Sequence, residues 1–148
     1  MDLALLKQAC QGDAQAEAWL VKWTAYVHLV DDIVDEDMDK VTRGAQVCAM
    51  GATALELYSH PFYLANVARL GQVALNCTNA FADVIPWEAW EGVDGKWKER
   101  FADVYRHFGC EMVLAVASIK GGYNLMRAIS EQLRVMCWTD HQFHGKAN

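Results

Sequence analysis

Proline is scarce in this chain. Only Pro61 and Pro86 occur in 148 residues. Proline breaks helix interiors, so its scarcity leaves long stretches free to be helical and excludes proline-rich linkers and recognition segments. Paired cysteines are missing too. Cys10, Cys48, Cys77, Cys110 and Cys137 are odd in number, widely spaced and without a C-x-x-C. They read as reduced core residues of a cytosolic protein, not as a disulfide framework. No apolar run approaches the roughly eighteen residues of a transmembrane helix. Met1 to Lys7 lacks the basic and apolar regions of a signal peptide, so no membrane partner is expected. Basic charge is also short: 13 Lys and Arg against 19 Asp and Glu, a net charge of −6. No basic stripe is present, which argues against nucleic acid as a partner. Strand-like alternation, repeats, low-complexity runs, a G-x-S-x-G, triad spacing and a dinucleotide fingerprint are all absent.

What remains is helical periodicity. A short helix is expected over about Asp2 to Cys10, broken at Gly12. Asp13 can cap a long helix running to about Asp39. A third pattern runs from Thr42 to Tyr58 with Val47, Met50, Ala54 and Leu57 on its apolar face, and its Gly44 and Gly51 would allow another helix to approach closely. Pro61 suits the first turn of a fourth helix, about Phe62 to Val84, which Pro86 should end. A break containing Trp87 and Trp90 follows. The fifth helix is expected over about Lys96 to Lys120, ended by Gly121-Gly122, and the sixth over Asn124 to His141. The reading is one all-α domain over residues 1–148, a bundle of about six helices. Hydrophobic content of 53% with six Trp favours a homo-oligomer, most simply a dimer.

One stretch stands apart. Tyr26 to Asp39 reads Y-V-H-L-V-D-D-I-V-D-E-D-M-D, six acidic residues and a histidine in fourteen positions without a Lys or Arg. At about 100° per residue, His28, Asp31, Asp32, Asp35 and Asp39 share one helix face. Trp23, Val27, Val30, Ile33 and Val34 share the other. Asp31/Asp35, Asp32/Glu36 and Asp35/Asp39 are like-charged i,i+4 pairs, each costing about 0.2–0.5 kcal/mol on an exposed helix. They also crowd toward the helix C-terminus, where the macrodipole disfavours negative charge. Local chemistry that opposes the local fold points to a functional site. A bound cation removes the conflict: Mg²⁺ or Mn²⁺ takes hard oxygen ligands and keeps waters that a phosphate can replace.

Asp31-Asp32-Ile33-Val34-Asp35-Glu36 resembles the aspartate-rich DDxxD motif of class I isoprenoid synthases, and most of all its DDIVDE form in the phytoene and squalene synthase branch. The resemblance implies an all-α bundle in which Asp31, Asp32 and Asp35 hold Mg²⁺ ions that bind a substrate diphosphate. It also implies that a chain of this length is a half-length version of that bundle. The chain is similar, too, to the all-α nucleoside triphosphate pyrophosphohydrolases, short helical oligomers with acidic pairs at three-residue spacing on two facing helices. Asp32-x-x-Asp35 answers to one such pair, and Asn79 with Asp83 to the other.

A single carboxylate cluster needs partners from other helices. Gln72, Asn76, Asn79 and Asp83 form a polar stripe on the fourth helix. Asn79 and Asp83 are the expected second metal-binding set, with Asn76 as an addition. The bland reading is a solvent-facing stripe. On the fifth helix His107 and Glu111 stand at i,i+4, a spacing that can share a metal or fix a histidine tautomer. His28 is a further candidate ligand. Arg127, Arg134 and Lys120 are the expected phosphate contacts, although Arg127–Glu131–Arg134 pairing along a surface explains the arginines equally well. The expectation is therefore a divalent-metal-dependent enzyme acting on a small diphosphate-bearing ligand. A non-catalytic helical interaction module is the remaining possibility.

Overall fold

A computed structural model describes residues 3–35, 38–88 and 107–144. They form α1 (Leu3–Cys10), α2 (Ala14–Asp35), α3 (Lys40–Tyr58), α4 (Pro61–Ala65), α5 (Val67–Glu88), a 3₁₀ turn (His107–Cys110) and α6 (Glu111–His144). The class is all-α, with six α-helices and no strand among the described residues. None of these helices is long and apolar enough to cross a membrane.

Asp13 opens α2 as expected. Its Oδ1 accepts from the backbone N–H of Gln15 at 2.9 Å and of Ala16 at 3.1 Å, satisfying donors that the first helical turn leaves free. The other end differs from expectation: α2 stops at Asp35, and Asp39 caps α3. Asp39 Oδ1 accepts from Val41 N at 2.7 Å and Thr42 N at 3.1 Å, and its Oδ2 accepts from the Thr42 hydroxyl at 2.6 Å. A carboxylate is favoured at a helix N-terminus and disfavoured at a C-terminus, so the chain uses Asp39 where its charge helps.

Three further boundaries depart from the sequence pattern. The helix expected over about Lys96 to Lys120 is interrupted by the 3₁₀ turn ahead of Glu111, and its part before His107, like Trp90, lies outside the described residues. The helix expected over Phe62–Val84 is broken at Asn66, whose Nδ2 donates to Phe62 O at 2.8 Å and whose N–H donates to Tyr63 O at 2.9 Å. Its own carbonyl then accepts from Arg69 and Leu70, starting α5. Asn66 thus ends one helix and begins the next, as a residue able to bond its own backbone can. Pro86 does not end α5, which runs on to Glu88. A proline this near the C-terminus forfeits one hydrogen bond of the last turn and leaves the rest of the ladder intact.

The core is aromatic at its centre. Trp19 is fully buried. It stacks on Trp23 and Tyr63, with ring centroids 6.2 and 5.9 Å away, and packs obliquely on Phe62 at 5.9 Å. Its indole N–H donates to Leu57 O at 2.9 Å, so this large side chain is buried without an orphaned polar atom. Leu70, Ala74, Cys77, Ala80 and Val84 give α5 a buried stripe at steps of three and four, the period of a helix packed on one face. Leu5, Leu6, Ala9 and Cys10 of α1 are buried beside Met112, Val116, Ile129 and Leu133 of α6 in the same core.

Helix α6 is two arms, 111–121 and 123–144, joined at Gly122 with φ 68° and ψ −162°. Arg134 Nη2 lies 3.0 Å from Glu111 Oε1, twenty-three positions away. A straight helix would hold those residues about 34 Å apart along its axis. The arms therefore fold back on each other, and Gly121-Gly122 ends the first arm as the sequence predicts.

Candidate functional site

Asp31 and Asp32 lie half-buried on the last turns of α2, and His28 is exposed one turn earlier. The helix ends at Asp35 with no basic residue in its last turn. The side chain of Asp35 lies outside the described residues, as do Glu36 and Asp37. The Lys22 ammonium of α2 pairs with Glu56 of α3, nine positions before Asp31.

The 3₁₀ turn touches α2 at Trp23 and Val27, ahead of the acids. Trp23 Nε1 donates to Gly109 O at 3.0 Å. A methyl group on Gly109 would stand 3.5 Å from Cγ1 of Val27. Val27 precedes Asp31 by one helical turn, so the turn that carries His107 is packed one turn from the first acid. The His107 side chain lies outside the described residues. The same 3₁₀ turn packs on α5, so α2 and α5 meet through it, while α2 packs mainly on α3 and α5 mainly on α6.

On α5, Asn76, Asn79 and Asp83 are exposed, opposite the buried stripe. Asn76 Oδ1 accepts from Gln72 Nε2 at 3.0 Å along the same helix. Among the described residues, no three His, Cys, Asp or Glu side chains converge in a group that could hold a metal.

The expected phosphate contacts are dispersed. Arg134 pairs with Glu111 at 3.0 Å. Lys120 pairs with Asp13 at 2.7 Å, tying the hinge of α6 to the start of α2. Arg127 is exposed on the second arm of α6. A phosphate reaching Arg134 would have to displace Glu111. That displacement costs little, because exposed ion pairs contribute about 0–1 kcal/mol.

Glu111 and Asn76 come together elsewhere. They line a groove of about 420 Å³ between α5 and α6, with Arg69, Cys77, Ser118 and Met126. Burial pushes the Cys77 thiol up to about 11, and the neighbouring Glu111 charge adds to the rise. The thiol is therefore a poor nucleophile at neutral pH. The groove depends on the fold-back at Gly122, which brings Met126 next to the first arm. The Gly121-Gly122 pair was its one sequence signal, and neither Arg69 nor Cys77 stood out from the pattern.

No protein family, curated protein or solved structure matches the chain.

Proposed function

We propose that the chain is a divalent-cation-dependent protein acting on a diphosphate-bearing small molecule, with the cation held at the carboxyl end of α2. One observation carries this reading. Asp31, Asp32 and Asp35 fall in the closing turns of a 22-residue helix whose last turn holds no basic residue. The helix's own terminal carbonyls add to the negative potential there. The donor set fits Mg²⁺ or Mn²⁺: hard carboxylate oxygens, one face, few in number. Mg²⁺ sites commonly use only one or two carboxylates and leave the remaining positions to water and phosphate oxygens. Asp31 and Asp35, at i,i+4, are the pair on one face, and Asp32 extends it. His28 and His107, the latter on the 3₁₀ turn, are the further candidate ligands of this reading. When bound, the cation neutralises charge on the diphosphate. The residues of α2 contribute by fixing where that charge sits. Asn79, Asp83, Asn76 and Glu111 on α5 and α6 are the candidate contacts for the far side of a ligand. Arg127 and Arg134 are the candidate contacts for its phosphates; Lys120, expected with them, is held on Asp13 at the opposite end of α2, about 27 Å along the helix from Asp31, and drops out of the set.

Melting temperature measured with Mg²⁺ or Mn²⁺, and then with added pyrophosphate, a nucleoside triphosphate or a prenyl diphosphate, tests the reading. A ligand present at about a hundred times its dissociation constant adds about 2.7 kcal/mol of stability. Mg²⁺ should raise the melting temperature and the preferred diphosphate should raise it further. The most effective ligand separates prenyl from nucleotide chemistry. Replacing Asp31 and Asp35 by Asn should abolish both shifts. Indifference to both cations would leave the non-catalytic helical module as the better account.

A further inference from the structure

Helix α3 is poorly covered by the other described residues. Of its 19 residues only Leu57 is buried among apolar neighbours. Val41 is 81% exposed and Leu55 75% exposed. From Gly44 to Leu55 the helix carries no charged residue, although charged residues make up 22% of the chain. Solvated helix faces are charged; loss of charge over a continuous exposed face is the mark of an interface core.

The exposed residues have a register. Val41, Gly44, Cys48, Gly51 and Leu55 recur at steps of three, four, three and four, the spacing of a helix-pairing seam. All five are exposed. Among the described residues, methyl groups placed on Gly44 or Gly51 would meet nothing within 4 Å. The seam therefore lies on the side of α3 away from α2, small at its middle and large at its ends.

That seam is complementary to itself. Val41 and Leu55 stand seven positions on either side of Cys48, and Lys40 and Glu56 stand eight. If a second copy crosses antiparallel at Cys48, each Val41 lies level with the other copy's Leu55. Gly44 lies level with Ala52, which permits close approach at the crossing. The basic first turn of each helix, with Lys40 and Arg43, comes level with the C-terminal turn of the other; Glu56 there already pairs with Lys22 of its own chain, so it is the opposed helix dipoles that favour this orientation. A parallel pairing would instead set the two basic turns side by side. We propose that α3 is a homodimer interface in which two copies of this chain cross antiparallel through Cys48.

The helix is about 28 Å long. Its face falls short of the roughly 800 Å² per partner of a standard interface, so the dimer should be a concentration-dependent one. Gly51→Lys leaves every acid of α2 in place, so failure of the dimer and failure of the cation site are read separately.

Sedimentation velocity of the full chain from about 1 µM to about 100 µM spans the range in which such a dimer forms. The wild type should shift from monomer to dimer across it. Gly51→Lys introduces a long charged side chain at the crossing where the monomer has open space. It should remain monomeric at every concentration, with unchanged helical circular dichroism and no loss of melting temperature at the dilute end. A wild type that stays monomeric throughout, or an association that Gly51→Lys leaves intact, overturns the interface. Orientation is read on a Cys48→Ser background, by oxidising chains that carry one added cysteine with copper phenanthroline and mapping the disulfides by mass spectrometry, since Cys10, Cys77, Cys110 and Cys137 remain. Val41→Cys mixed with Leu55→Cys should give the mixed disulfide, and neither alone should cross-link through its new thiol. Cross-linking of each variant with itself overturns the antiparallel register.

Discussion

Lys120 Nζ donates to Asp13 Oδ2 at 2.7 Å, joining residues 107 positions apart. The other oxygen of the same carboxylate caps α2. One aspartate thus starts the helix that carries the acidic stretch and pins that start to the last turn before the Gly122 hinge. The Lys120 hydrogen bond, followed by the cap bond to Ala16, holds the Asp13 carboxyl below its ordinary value of 3.8. Asp13→Asn keeps a capping oxygen and loses the ion pair, and should destabilise by about 0.2–1 kcal/mol. Asp13→Ala loses the cap as well, a further cost of about 0.5–2 kcal/mol. Because the folded carboxyl titrates lower than the unfolded one, its contribution is fully present above the unfolded value and is lost as pH falls through the folded one. The gap between wild type and Asp13→Asn in urea denaturation should therefore be constant near neutral pH and close below about pH 4.

The hinge gives a second expectation. At φ 68° and ψ −162°, Gly122 occupies a backbone region that is essentially closed to residues with a Cβ. Gly122→Ala should cost about 1–3 kcal/mol in urea denaturation. Gly122→Asn should not recover the loss, because asparagine tolerates the left-handed helical region and this ψ lies far outside it. Recovery by Asn would mean that the hinge adopts an ordinary left-handed turn. Gly121→Ala should also destabilise, for a different reason: its Cβ would lie 2.6 Å from Leu125 Cβ.

Most of the helices were legible in the sequence because their signals are local. The Asp13 cap, Pro61 at a first turn and the Gly121-Gly122 stop each act within a few residues of where they stand. Pro86 was over-read as a stop, and two other errors fell where one residue type serves either end of a helix. Asp39 continued the acidic spacing of α2 and instead caps α3. Asn66 lay inside a periodic run and divides it. Pairings across the fold left no trace in the sequence: nothing local links Lys120 to Asp13, or Arg134 to Glu111 rather than to Glu131. The acidic face of α2 was legible as a pattern. Its neighbour, the 3₁₀ turn, is positioned by packing of Gly109 on Trp23 and Val27, a contact that no local signal announces.

Cysteine reactivity offers a test of the core. Burial pushes the Cys10 and Cys77 thiols to about 11, and nearby Glu17 and Asp13 add to the rise at Cys10. The thiolate is the reacting form, so both should resist alkylation at pH 8 in the native protein. Mapping iodoacetamide adducts by mass spectrometry should find Cys10 and Cys77 unmodified until denaturant is added. Modification of Cys77 under native conditions would mean that the groove between α5 and α6 opens to the thiol.

The acidic end of α2 makes the sharpest prediction, because its sign is unusual. Removing a charge from a folded protein usually destabilises it or does nothing. Asp32 lies near the negative end of the α2 dipole, with Asp35 three positions on in the same last turn. Relieving like-charge pairs at helical spacing contributes about 0.2–0.5 kcal/mol each. Asp32→Asn should therefore melt higher than wild type in EDTA, by an amount that shrinks as salt screens the repulsion. In Mg²⁺ the order should reverse, because the wild type gains a cation that the variant holds less well. A lower melting temperature for Asp32→Asn in EDTA would mean that the native fold already answers the Asp32 charge with a cationic partner. The case for a metal at this helix end would then be lost.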